Sequence, residues 1–167
     1  MKTGIRLDLS IPPDWTRIEL VRKAVGFCVW AVFGRGDLRD SLSMVSAELL
    51  ENAVKYSAPD REVRLSITEE PDRLVVAVTN EVEGDSHVTT LAHRLEWLRT
   101  FSSAADAYMA ALSEVFDHKG EERAGEGGLG IVRIAYEGGC DLDCDTSKPG
   151  QVTVRASRAL PVETPIA

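Results

Sequence analysis

No apolar run in this sequence reaches the length needed to span a bilayer, and Met1-Lys2-Thr3-Gly4 does not lead into a signal peptide. The expectation is therefore a cytoplasmic protein with no membrane contact. Basic residues are outnumbered: 19 Lys and Arg stand against 27 Asp and Glu, for a net charge of −8. Such a chain lacks the basic stripe of a nucleic-acid surface and fits poorly against anionic lipid. A protein partner, or a nucleotide carried with magnesium, stays open. Cysteine is scarce, with only Cys28, Cys140 and Cys144. No further zinc ligands stand near Cys140 and Cys144 at suitable spacing, so all three are read as buried thiols in a reducing compartment. His87, His93 and His118 are too scattered to form a metal set. Aromatics make up 6% of the chain, and Trp15, Trp30 and Trp97 are read as packing residues, Trp97 with docking as its alternative role. No nucleophile-elbow sequence is present, which sets Ser/His/Asp hydrolase chemistry aside.

What the sequence does have is a clear order of elements. Ile5–Leu9 alternates apolar and charged residues, as a half-buried strand does. Pro12-Pro13 ends it, and Asp14 is placed to cap a helix whose stripe runs Ile18, Val21, Val25, Cys28, Val29, Val32 and stops at Gly34. Asp37 is read as the cap of a second helix, closed by Ala58-Pro59. Val63–Ile67 and Leu74–Val78, joined at Glu70-Pro71-Asp72, predict an antiparallel hairpin. From His87 to His118 the composition predicts two helices broken near Ser102-Ser103. A helix over Ile131–Tyr136 and strands over Cys140–Cys144 and Val152–Ala156 complete the pattern. The expected fold class is α/β: a two-layer sandwich of a mixed, mostly antiparallel sheet with helices on one face. One domain over 1–160 and a loose tail over 161–167 are expected.

Two stretches carry candidate chemistry. In the second helix, Val45, Leu49, Ala53 and Val54 share one side, while Glu48, Asn52, Lys55 and Tyr56 line a neighbouring face. Glu48 and Asn52 stand one turn apart and can point into the same small volume. A carboxylate beside a carboxamide, near a lysine, suits a divalent cation and a polarised hydroxyl next to phosphates. The plainer reading is a solvated polar face. The second stretch is Gly125-Glu126-Gly127-Gly128-Leu129-Gly130-Ile131, where dense glycine lets backbone approach a ligand and opens a helix with free N–H groups. By itself it reads equally well as a flexible loop.

Taken together, Glu48-Leu49-Leu50-Glu51-Asn52-Ala53-Val54-Lys55-Tyr56 and Gly128-Leu129-Gly130 resemble the N-box and the second glycine box of the GHKL ATPase superfamily. This is the histidine-kinase-like ATPase fold, which also includes the bacterial anti-sigma-factor serine kinases. The resemblance implies ATP and Mg²⁺ as cofactors, with Asn52 as the metal ligand. It further implies that Lys55 reaches the phosphates, Tyr56 lies near the nucleotide, and Glu48 sits where many members keep a general base. Gly125, Gly127, Gly128, Leu129 and Gly130 would form the phosphate loop. Glu126 stands where that box usually has its first glycine, and the Asp-x-Gly-x-Gly box is missing. Asn80 occupies the place of its Asp, whose carboxylate accepts a hydrogen bond from adenine in the family. An Asn carbonyl accepts that bond too, yet its amide also donates. Small standalone partner-switching regulators similar to this chain share that Asn and a long helical insert before the glycines.

The resemblance implies an ATP-dependent protein serine/threonine kinase acting on an antagonist protein of the anti-sigma-antagonist type, with a sigma factor or other effector as a further partner. Homodimerisation through the first long helix or strand is compatible with such regulators. The rival is a scaffold that kept the fold, lost catalysis and regulates by binding only.

Overall fold

The computed structural model describes residues 4–117 and 128–161. Its elements run β1 (Arg6–Ile11), α1 (Trp15–Phe33), α2 (Gly36–Tyr56), β2 (Val63–Glu69), β3 (Arg73–Glu81), α3 (Ser86–Arg99), α4 (Ala104–Asp117), α5 (Gly128–Tyr136), β4 (Asp141–Asp145) and β5 (Gln151–Ala159). The strands form one sheet in the order β1-β2-β3-β5-β4, and each ladder is antiparallel. The predicted hairpin is β2–β3, and the predicted break in the insert separates α3 from α4. The expected tail lies, from residue 162 onward, outside the described residues.

Period-two burial makes the architecture an α/β sandwich. Val63, Leu65 and Ile67 of β2, Leu74, Val76 and Val78 of β3, and Val152, Val154 and Ala156 of β5 are all buried. Their alternates, such as Arg64, Thr79 and Arg155, are more accessible and polar. On that open face the Thr79 and Thr153 hydroxyls lie 2.8 Å apart. The helices cover the apolar face. α2 is the central one: Leu38, Leu42, Val45, Leu49, Leu50, Ala53 and Val54 are buried. Each fully buried leucine among them contributes about 1.5–3 kcal/mol from apolar burial.

Local signals set the helix ends. Asp14 accepts from the Thr16 backbone N–H at 2.8 Å and starts α1, and Gly34 ends it with a φ of 62°. Asp37, expected as the α2 cap, lies instead inside its first turn, because the chain turns in at Arg35. Its carboxylate binds Arg35 and Arg158. Gly138 joins α5 to β4 and must be glycine: a Cβ there would meet the Ile134 carbonyl and lie 2.7 Å from Val45 Cγ2. The Ser41 hydroxyl donates to the Gly138 carbonyl at 2.8 Å, pinning this turn to α2.

Two packing expectations fail. Trp15 and Trp30 are 56% and 48% exposed, and Val32 lies on the accessible side of α1, because α1 buries only its narrow Ile18–Val21–Val25–Val29 stripe. Trp97 does pack, edge-on to Phe101 at 4.7 Å, in a second cluster built around Ala107, Ala111 and Val132. The three cysteines are free thiols, and burial pushes the Cys140 thiol up to about 11. Among the described residues no helix is long and apolar enough to cross a membrane.

Candidate functional site

The predicted site residues fall into two groups at different places along α2. At the first, Glu48 is half-buried and faces α5. A Cβ on Gly130 would lie 2.7 Å from Glu48 Oε2, so the missing side chain lets the carboxylate come up against that helix. The Arg133 guanidinium, one turn further along α5, donates through Nη1 to Glu48 Oε1. Arg133 also pairs with Glu137 at 3.3 Å, and Glu137 accepts from the Tyr108 hydroxyl of α4 at 3.1 Å. Burial raises the Glu48 pKa, and the adjacent Arg133 charge only partly opposes this. Arg133 was not among the predicted site residues. Its one signal in the sequence is the helical spacing to Glu137, which marks a face of α5 but not its partner on α2.

A groove of about 560 Å³ runs between α1, α2 and α5, lined by Phe27, Met44 and Ala47 together with Glu48 and Arg133. Asn52, Lys55, Tyr56 and Asn80 do not line it.

The second group gathers at the C-terminal end of α2. The Tyr56 ring lies parallel to the His87 imidazole, with centroids 3.6 Å apart and planes at 13°. Lys55 Nζ stands 5.2 Å from the same Tyr56 ring. The Ala58 N–H donates to the Glu81 carbonyl at 2.8 Å, which ties this end of α2 to the end of β3. There Asn80 takes the next core-facing position after Leu74, Val76 and Val78 and is only 4% exposed. Its amide nitrogen, the His87 Nδ1 and the Ser46 hydroxyl are buried without a hydrogen-bond partner among the described residues. An orphaned buried group of this kind costs about 1–3 kcal/mol. Burial, followed by the nearby Lys55 charge, lowers the His87 pKa from 6.5 to about 4, so the ring is neutral near pH 7. The spacing of the histidines speaks only against a metal set; it is the fold that carries His87 onto Tyr56.

Asn52 is half-buried on α2 between the two groups. Gly128 opens α5. Leu129, half-buried, packs against the second cluster of Ala107, Ala111 and Val132. Gly125 and Gly127, with Lys119, Arg123 and Glu126, lie outside the described residues. Among the described residues no three His, Cys, Asp or Glu side chains gather as a metal cluster. A cation site among the described residues would draw on the Asn52 carboxamide. The Asn80 amide nitrogen is a buried donor without a partner among the described residues, a group that a polar ligand would satisfy, whereas the space at Gly130 is taken by Glu48 Oε2.

The fold and these two groups define an α/β two-layer sandwich with polar residues along one central helix. A chain of a solved structure described as the SiaB–SiaC complex from Pseudomonas aeruginosa shares that fold. Its TM-score is 0.64 at 18% identity, covering 95% of this chain and 91% of that one. No family model matches the chain, and no curated protein does.

Proposed function

We propose that this protein is an ATP- and Mg²⁺-binding regulator that transfers a phosphoryl group to a Ser or Thr of a partner protein in a bacterial partner-switching circuit. The observation that carries the reading is the Glu48 carboxylate held against the Gly130 backbone, one helical turn from Asn52. The solved chain of similar fold comes from a two-protein complex, which supports a partner for this chain as well.

In this reading Asn52 holds the metal, Lys55 meets the phosphates, and Tyr56 and Asn80 take the base. ATP supplies the phosphoryl group, and Mg²⁺ neutralises charge on it when bound. Glu48 orients the acceptor hydroxyl and takes its proton. Its raised pKa keeps the proton affinity of a carboxylate closer to working pH than an exposed Glu would have.

Incubating the chain and an antagonist-type partner with γ-labelled Mg-ATP tests the proposal. Asn52→Ala should abolish label transfer while leaving the thermal melt in place; transfer retained in that variant rejects the role of Asn52.

A binding-only scaffold is the second reading, and two contacts favour it. Arg133 engages Glu48, and His87 covers a face of Tyr56. Thermal shift separates the two readings. Mg-ATP at about 100 times Kd adds about 2.7 kcal/mol to a binder. A melt that ignores nucleotide but shifts with the partner selects the scaffold.

A further inference from the structure

The ring contact at the end of α2 has a geometry unlike the others among the described residues. Trp97 meets Phe101 edge-on at 65°, and Tyr108 meets Tyr136 tilted at 35°, with centroids 4.7 and 5.1 Å apart. The His87 imidazole instead lies flat on the Tyr56 ring, 3.6 Å away with planes at 13°. A nucleobase stacks on an aromatic side chain in the same way, and imidazole is the smaller ring of a purine. His87 is only 9% exposed, and its Nδ1 is buried with no hydrogen-bond partner among the described residues. A histidine kept only to brace a fold has its buried nitrogens bonded.

The place of His87 in the chain lets the ring leave. Glu83, Gly84, Asp85 and Ser86 are all exposed, and Gly84 has a φ of 75°. The Asp85 side chain makes no capping hydrogen bond to α3, unlike Asp14 at the start of α1. The first turn is closed by the Asp85 carbonyl, which accepts from the Thr89 N–H and hydroxyl at 2.9 and 3.0 Å. His87 stands on that turn, whereas α3 is anchored further on by Leu91 and Leu95, both part of the core. Opening the turn withdraws the imidazole and leaves both leucines where they are. Lys55, with Nζ 5.2 Å from the Tyr56 ring, belongs to α2 and keeps its place beside the uncovered face.

We propose that His87 fills the base seat in the resting protein: its imidazole covers Tyr56 until a nucleotide's purine displaces it. His87 plays that part only if Tyr56 meets the base, as in the proposed function. The covered ring is then a brake on binding and not a sign that binding is lost.

Calorimetric titration of the full chain with Mg²⁺ and a non-hydrolysable ATP analogue tests the brake, with Mg²⁺-tripolyphosphate as the probe that has no base. His87→Ala should bind the analogue about fivefold more tightly than wild type, the size of one ring–ring contact. His87→Phe keeps a ring on Tyr56 and should show no such gain. Tripolyphosphate should bind wild type and His87→Ala alike. In wild type, the His87 imidazole resonances should lie upfield in the ring current of Tyr56 and move to unstacked positions once the analogue saturates the protein. That readout stands even where His87→Ala fails to fold. Equal or weaker analogue binding by His87→Ala overturns the brake, as does an analogue that binds wild type with the imidazole still stacked; in both cases the nucleotide reading stands. Resonances that are never shifted upfield, or a gain shared by tripolyphosphate, overturn it as well. No binding of the analogue by wild type or by either variant rejects the nucleotide reading itself, and the brake falls with it.

Discussion

The two polar groups along α2 differ in how well their members are satisfied. Near its middle, Glu48 has Arg133, Arg133 has Glu137, and Glu137 has Tyr108, so each charge meets an opposite charge or a donor. At its end, Asn80 and His87 each bury a nitrogen with no partner among the described residues, and Tyr56 is covered by a ring instead of a polar contact. A satisfied network stabilises its own fold; an orphaned one marks where the protein gives up stability for something it meets from outside. On the proposed function, the first group would hold the Glu48 carboxylate in place and the second would meet the ligand.

The sharpest way to break the contrast is Arg133→Ala. Removing the cation leaves Glu48 half-buried and unpaired, at a cost of about 2 kcal/mol, between the values for exposed and fully buried pairs. The sign with pH follows from the Glu48 pKa, already raised by burial and raised further without Arg133. The penalty is full when the carboxylate is ionised and shrinks as pH falls through its folded pKa. Urea denaturation at neutral and at acid pH should show that convergence with wild type.

At the other end, Asn80→Leu should do the opposite. Exchanging the orphaned amide for an apolar side chain should raise stability by about 1 kcal/mol. The same change should remove any gain on adding Mg-ATP, and a lower melting temperature would contradict the assignment.

His87→Phe keeps a ring against Tyr56 and removes the titrating group. A His whose folded pKa lies below its unfolded value gives stability that is present above 6.5 and lost as pH falls toward about 4. The variant should hold its melting temperature across that window better than wild type does.

Gly130→Ala should have the smallest effect, within about 0.5 kcal/mol in chemical denaturation. The added Cβ meets the movable end of Glu48, and alanine favours the helix. Label transfer to the partner, not Mg-ATP binding, is the readout that should suffer, since Glu48 has to turn away.

Much of the fold was legible because local rules govern it. Asp14 and Gly34 bound α1, the alternation in Val63–Ile67 and Leu74–Val78 marks a hairpin, and Val45, Leu49, Ala53 and Val54 mark the buried side of α2. The site was legible only as far as one helix reaches. Glu48 and Asn52 share a face by spacing alone, but Arg133 and His87 meet their partners through contacts distant in sequence, which no periodicity encodes.

By itself the sequence determined the kinds of element, their order, and which face of each strand and of α2 is apolar, since side-chain period and capping are properties of neighbouring residues. Only the tertiary structure decided that Glu48 answers to Arg133, that Tyr56 stacks on His87, and that, among the described residues, Asn80 ends an apolar row with its amide nitrogen unmatched and Leu20 and Phe27 of α1 stay exposed. Those outcomes depend on which surfaces the packed layers bring together, and burial and charge act only once the layers have met.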